Sequence, residues 1–250
     1  MKIAVLLRRF ETNSLFRKAL LKISAIQGEE LYLCSGTLTQ INNDPMLLNY
    51  ISHGFKGTKG SKVITLGQRS SGDCNPVTII GHCRTIKPTR TTNCNACKYQ
   101  EFVNGLRSHG SVGGFKVDAY REKNDKWHSK IAIKVRNGEP IAAIIGSSNL
   151  TIPAYGEKCN CPTSSGPCPT HAWISYKGHF PFECDVLFWD EKQIKKHLAT
   201  SSTDVDGDSV SFNNDGIIVA TPERDVKKDL IDQLDSIRKL IGDTSKVNSI

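Results

Sequence analysis

Asn137-Gly138 lies between two apolar runs, HSKIAIKV (128–135) and PIAAIIG (140–146). Both residues tolerate the left-handed backbone that a two-residue hairpin turn requires. The spacing therefore predicts two antiparallel strands joined at this turn. Further strands are expected at 2–7 (KIAVLL), 31–34 (LYLC), 62–66 (KVITL), 115–120 (FKVDAY) and 183–189 (ECDVLFW).

Helical spacing fills the intervals. Asn13 or Ser14 can cap a helix with Leu15, Phe16, Ala19, Leu20 and Ile23 along one side and Gly28 ending it. Asp44-Pro45 opens a second, with Met46, Leu47, Tyr50 and Ile51 apolar. Others are expected at 96–108, at 190–199 and after Thr221-Pro222. The last carries Val226, Leu230, Leu234, Ile237 and Ile241 at helical spacing, with Gly242 beyond it. Strands alternating with helices predict an α/β fold, a β-sheet flanked by helices.

Two stretches break this order. Residues 68–95 and 157–180 mix Cys, Pro, Gly, Thr, Asn and Ser without periodicity and read as insertions, the first with one short strand at Val77–Ile80. Residues 200–208 read as a linker, and SVSF and IIVAT around NNDG as a small hairpin. The expected division is a catalytic domain over 1–198 and, over 199–250, a linker, hairpin and terminal helix. Asp204, Asp206 and Asp208 with Gly207 echo a calcium loop, but its later glutamate is missing, so this is a polar linker.

The 250 residues carry a formal charge of +8, with pI about 9.0. Such a surplus favours polyanions without choosing among nucleic acid, anionic membrane and phosphorylated small molecules. No stretch is long and apolar enough to span a bilayer. At the start, arginines and an acid follow a short apolar run, the wrong order for a signal peptide. A cytoplasmic setting is expected, and there clustered cysteines suggest metal before disulfide.

The chemistry concentrates in Trp127-His128-Ser129-Lys130 and, beyond the hairpin, Gly146-Ser147-Ser148-Asn149. Strand alternation puts His128 and Lys130 on one face. Hairpin pairing brings them beside Ser147 and Asn149. An imidazole, an ammonium, an amide and a hydroxyl on one spot suit a phosphate diester. The histidine attacks phosphorus while the others donate to the nonbridging oxygens.

This order of H-x-K followed by G-S-x-N resembles the phospholipase D superfamily. The likeness covers residues 1–198 in outline and 127–151 specifically, and implies a mixed sheet flanked by helices with two cysteine-rich insertions. Where the family signature has an acid, this chain has Val135. That brings the resemblance closer to the branch of metal-independent restriction endonucleases and related bacterial nucleases, in which a glutamate on a later strand assists the histidine. Glu183, opening ECDVLFW, fits that place better than Glu157, which opens the irregular stretch. The resemblance implies a phosphohistidine at His128, phosphate oxygens bound by Lys130 and Asn149 with Ser147 supporting them, and Glu183 fixing the ring tautomer of His128. With one H-x-K per chain, it also implies a homodimer with two His128 residues facing across a two-fold axis. No cofactor is needed for catalysis.

The cysteines form two clumps. Cys74, Cys83, Cys94 and Cys97 end in C-x-x-C; Cys159, Cys161 and Cys168 are followed by His171. Each set suits one tetrahedral structural zinc; the insertions could also share a single site or bind nothing. Cys34 and Cys184 fall in expected strands and read as small core residues. His82, His109, His179 and His197 have no identifiable partner.

The leading expectation is a dimeric phosphodiesterase acting on nucleic acid, DNA ahead of RNA, as an endonuclease of a restriction or defence system. The alternatives are a lipid hydrolase of the same superfamily and a non-catalytic, zinc-containing nucleic-acid-binding protein of the same fold.

Overall fold

A computed structural model describes residues 2–8, 15–36, 44–67, 95–122, 128–156, 183–190, 211–212, 217–220, 227–241 and 247–249. Both cysteine-rich stretches, the expected helix beyond Asp190, the linker, and the caps at Asn13, Ser14 and Thr221-Pro222 lie outside these residues. So does Glu157.

The strands are β1 (Lys2–Arg8), β2 (Glu30–Ser35), β3 (Lys62–Gly67), β4 (Lys116–Glu122), β5 (Lys130–Arg136), β6 (Glu139–Gly146), β7 (Glu183–Trp189), β8 (Ser211–Phe212), β9 (Ile217–Ala220) and β10 (Val247–Ser249). The helices are α1 (Leu15–Ala25), α2 (Pro45–Phe55), α3 (Asn95–Gly113), α4 (Ile152–Tyr155) and α5 (Lys227–Ile241). All described strands form one mixed sheet in the order β10-β4-β3-β2-β5-β6-β7-β1-β9-β8. The protein is an α/β fold, as the alternation of strand and helix patterns predicts. The hairpin of β8 and β9 extends the sheet beyond β1, and β10 extends the other edge on β4.

Strands β2, β3 and β4 run parallel; β5 enters beside β2 in the opposite direction. This reversal places the ends of β2 and β6 and the beginnings of β5 and β7 along one edge of the sheet. The β5–β6 turn is the expected one: Asn137 and Gly138 have φ of 55° and 77°, both left-handed.

The central strands are covered on both faces, so they read as nearly continuous apolar runs. Leu31, Leu33, Val63, Ala132 and Ile144 pack beneath α1, α2 and α3. On the other face Cys34, Ile64, Ile133 and Val135 meet Leu234 and Ile241 of α5. Each fully buried side chain of this size contributes about 1.5–3 kcal/mol relative to exposure.

Some expectations need correction. Met46 and Tyr50 belong to the apolar set of α2 by sequence, yet are 42% and 37% exposed. The helix instead buries Leu47, Ile51, Gly54 and Phe55, which lie four, three and one residues apart on one face. Asp44 caps α2 as expected, accepting from Met46 N at 2.8 Å. Its carboxylate also meets the Arg17 guanidinium at 3.0 Å and the Tyr155 hydroxyl. This buried triad ties α1, α2 and α4 together. Helix α1 stops at Ala25, three residues before Gly28. Helix α3 runs five residues past 108, and Gly114 at φ 75° ends it. His109 has a partner after all, the Ser52 hydroxyl at 3.0 Å. Among the described residues no helix is long and apolar enough to cross a membrane.

Candidate active site

Lys130 opens β5 opposite Gly146, the last residue of β6, and Gly146 in turn faces Asp185 on β7. The H-x-K and G-S-x-N segments therefore meet at one edge of the sheet. His128 precedes β5 and is exposed; Lys130 is buried beneath it. The Lys130 amine lies 2.9 Å from His128 Nδ1 and 3.2 Å from Nε2. It also donates to the His128 carbonyl oxygen at 2.6 Å. An ammonium has no lone pair, so any ring nitrogen accepting from it carries no proton.

Burial pushes the Lys130 ammonium below the ordinary lysine range, and the nearby Glu183 charge pulls it back up. Glu183 is itself buried and accepts a hydrogen bond from the Ser147 hydroxyl. The Ser147 oxygen in turn accepts from Cys184 N at 3.0 Å. Ser147 thus spends its proton on Glu183 and serves as a bridge between β6 and β7. Asn149 is half-buried, and its Oδ1 accepts from Ser35 Oγ at 3.3 Å.

Asp185 was not singled out in the sequence, yet it organises the turn. Its carboxylate accepts from Ser148 N at 3.1 Å and from Ser148 Oγ at 2.5 Å. Burial raises its pKa, against the Ser148 hydrogen bonds, which lower it. Ser35 is the other missed residue: it is buried and also accepts from Leu150 N at 3.2 Å. An acid in the middle of ECDVLFW, and a Ser-Gly following an apolar strand, were the available signals.

Cys184 corrects an expectation. It is exposed, whereas Glu183, Asp185, Leu187 and Trp189 form the buried face of β7. Cys34 is buried as expected, and burial pushes its thiol up to about 12. Of the residues considered for zinc, Cys97 alone lies in the described part, half-buried in the first turn of α3. Among the described residues no three His, Cys, Asp or Glu side chains gather as a ligand set.

No protein-family model and no curated protein matches the chain. Solved structures similar to it include Nuc of Salmonella typhimurium, described as a phospholipase D family member. It is 13% identical with a TM-score of 0.38, over 76% of this chain and 84% of Nuc. NucT of Helicobacter pylori is also 13% identical, with a TM-score of 0.36 over 78% of this chain and 91% of NucT. The archaeal chromatin protein TrmBL2 is 9% identical, with a TM-score of 0.30 over 77% of this chain and 47% of TrmBL2. Likenesses at this level transfer no chemistry; the side chains at the sheet edge have to supply it.

Proposed function

We propose that this chain is a metal-independent phosphodiesterase, a DNA endonuclease acting through a phosphohistidine at His128. The observation that carries the reading is an exposed imidazole seated on a buried amine, with Lys130 Nζ 2.9 and 3.2 Å from its two ring nitrogens. The reaction proceeds by attack of the unprotonated ring nitrogen on phosphorus. An N–P bond forms and the bond to the leaving sugar oxygen breaks. As charge builds on the nonbridging oxygens, the Lys130 ammonium and the Asn149 amide N–H stabilise it. Glu183 helps keep Lys130 charged; as the substrate binds, the ammonium passes from the imidazole to a nonbridging oxygen and so releases the ring lone pair for attack.

The leaving oxygen needs a proton, and each chain has one H-x-K. A homodimer supplies the donor as His128 of the partner subunit, which next deprotonates the water that breaks the N–P bond. Acid–base help of this kind is worth about a hundred- to ten-thousandfold in rate. The +8 charge suits a nucleic acid substrate.

Plasmid DNA incubated with the pure protein in EDTA tests the proposal. Cleavage that His128→Ala and Lys130→Ala abolish, with the fold retained, supports it. A folded wild-type protein that leaves DNA intact, or whose cleavage survives both substitutions, refutes it.

A further inference from the structure

We propose that Ser35 is a positioning residue that decides which end of the Asn149 amide faces the substrate phosphate; this rests on the active-site reading above. Ser35 ends β2, and Asn149 follows β6, 114 residues later in the chain. Strand β5 lies between these two strands, so their link crosses above the entry of the segment carrying His128 and Lys130.

Ser35 Oγ accepts the Leu150 N–H at 3.2 Å and donates to Asn149 Oδ1 at 3.3 Å. The amide oxygen is thereby held on the β2 side, and the Nδ2 donors turn away from Ser35. A flipped amide would offer a carbonyl oxygen to the phosphate oxygens, replacing attraction with repulsion. Ser35 is fully buried, so water does not compete for these bonds.

A double-mutant cycle on DNA cleavage in EDTA tests the inference under single-turnover conditions. Asn149→Ala is expected to slow cleavage about a hundredfold, the loss typical of one preorganised donor. Ser35→Ala should slow it less, and should slow the Asn149→Ala protein no further. Losses that multiply, or no loss with Ser35→Ala, overturn the inference while leaving the His128 chemistry intact. Cleavage indifferent to His128→Ala sinks the active-site reading, and this inference with it. Should Ser35→Ala fail to fold, Ser35→Cys decides. It keeps a side chain of similar shape with a weaker donor, so it should slow cleavage and slow the Asn149→Ala protein no further. A Ser35→Cys protein that cleaves normally, or whose loss multiplies with that of Asn149→Ala, contradicts the assignment.

Discussion

Gly146 and Asp185 face each other across β6 and β7 with no room for a side chain at the glycine. A Cβ there would lie 2.6 Å from both Asp185 Cα and the Cys184 carbonyl oxygen, and would overlap the Asp185 carboxylate. Two of these obstacles are backbone, which cannot swing aside. Gly146→Ala should cost about 1–3 kcal/mol through overpacking. In a chain of this size each kcal/mol lowers the melting temperature by about 2–4 °C. Calorimetry checks this, and cleavage should fall as well, because the Ser148–Asp185 bonds that set the turn would be displaced.

The Arg17–Asp44–Tyr155 triad gives a graded prediction. Asp44→Ala leaves the buried Arg17 guanidinium without its carboxylate, a loss of about 3–5 kcal/mol. Tyr155→Phe removes one hydrogen bond to Asp44 but leaves the ion pair, and should cost about 1–3 kcal/mol. Urea unfolding of the two variants should rank them in that order.

The pH profile should report the pairing of Lys130 with Glu183. The Lys130 ammonium lies below the ordinary lysine range because of burial, and the Glu183 charge opposes that fall. Cleavage should therefore decline on the alkaline side before an ordinary lysine would deprotonate. Glu183→Gln removes the opposing charge, so the alkaline limb should move to lower pH. An unmoved limb would show that Glu183 does not act through Lys130.

Lys134 makes stability depend on pH. It is fully buried, with its amine 3.3 Å from the Gly54 carbonyl oxygen and 4.0 Å from the centre of the Phe55 ring. Burial lowers its pKa to about 7, against the Glu29 charge, from an ordinary 10.5. Between those values the unfolded chain holds a proton that the native state has released, so stability rises with pH. The contribution is complete above the unfolded value and is lost as pH falls to about 7. Its slope is at most about 1.4 kcal/mol per pH unit. Denaturation of wild type and Lys134→Met at several pH values should show a difference that grows toward alkaline pH in favour of the wild type.

Much of the fold was legible because local chemistry and tertiary structure agree. The Asn137-Gly138 turn, the Asp44 cap and the strand runs each signal one conformation and adopt it. Cys184 was expected in the core because hydropathy and function disagree on β7. It is more apolar than its neighbours Glu183 and Asp185, yet those acids are the buried residues. Those acids lie inside because they meet Ser147, Ser148 and Lys130, partners that sequence spacing does not reveal. The same holds for Ser35, whose relation to Asn149 exists only once β5 is threaded between β2 and β6. By contrast, His128 with Lys130 and Ser147 with Asn149 were visible as neighbours, because a hairpin joins the two segments.

Capture of the covalent intermediate tests the proposed chemistry most directly. Pure protein and a labelled DNA duplex would be quenched in alkali, which spares a phosphorus–nitrogen bond, during the first turnover, and the modified peptide identified by mass spectrometry. A nucleotide adduct on His128 that forms and decays at the rate of strand scission is the expected result. Scission with no adduct on the protein, or with an adduct on a different side chain, would contradict it.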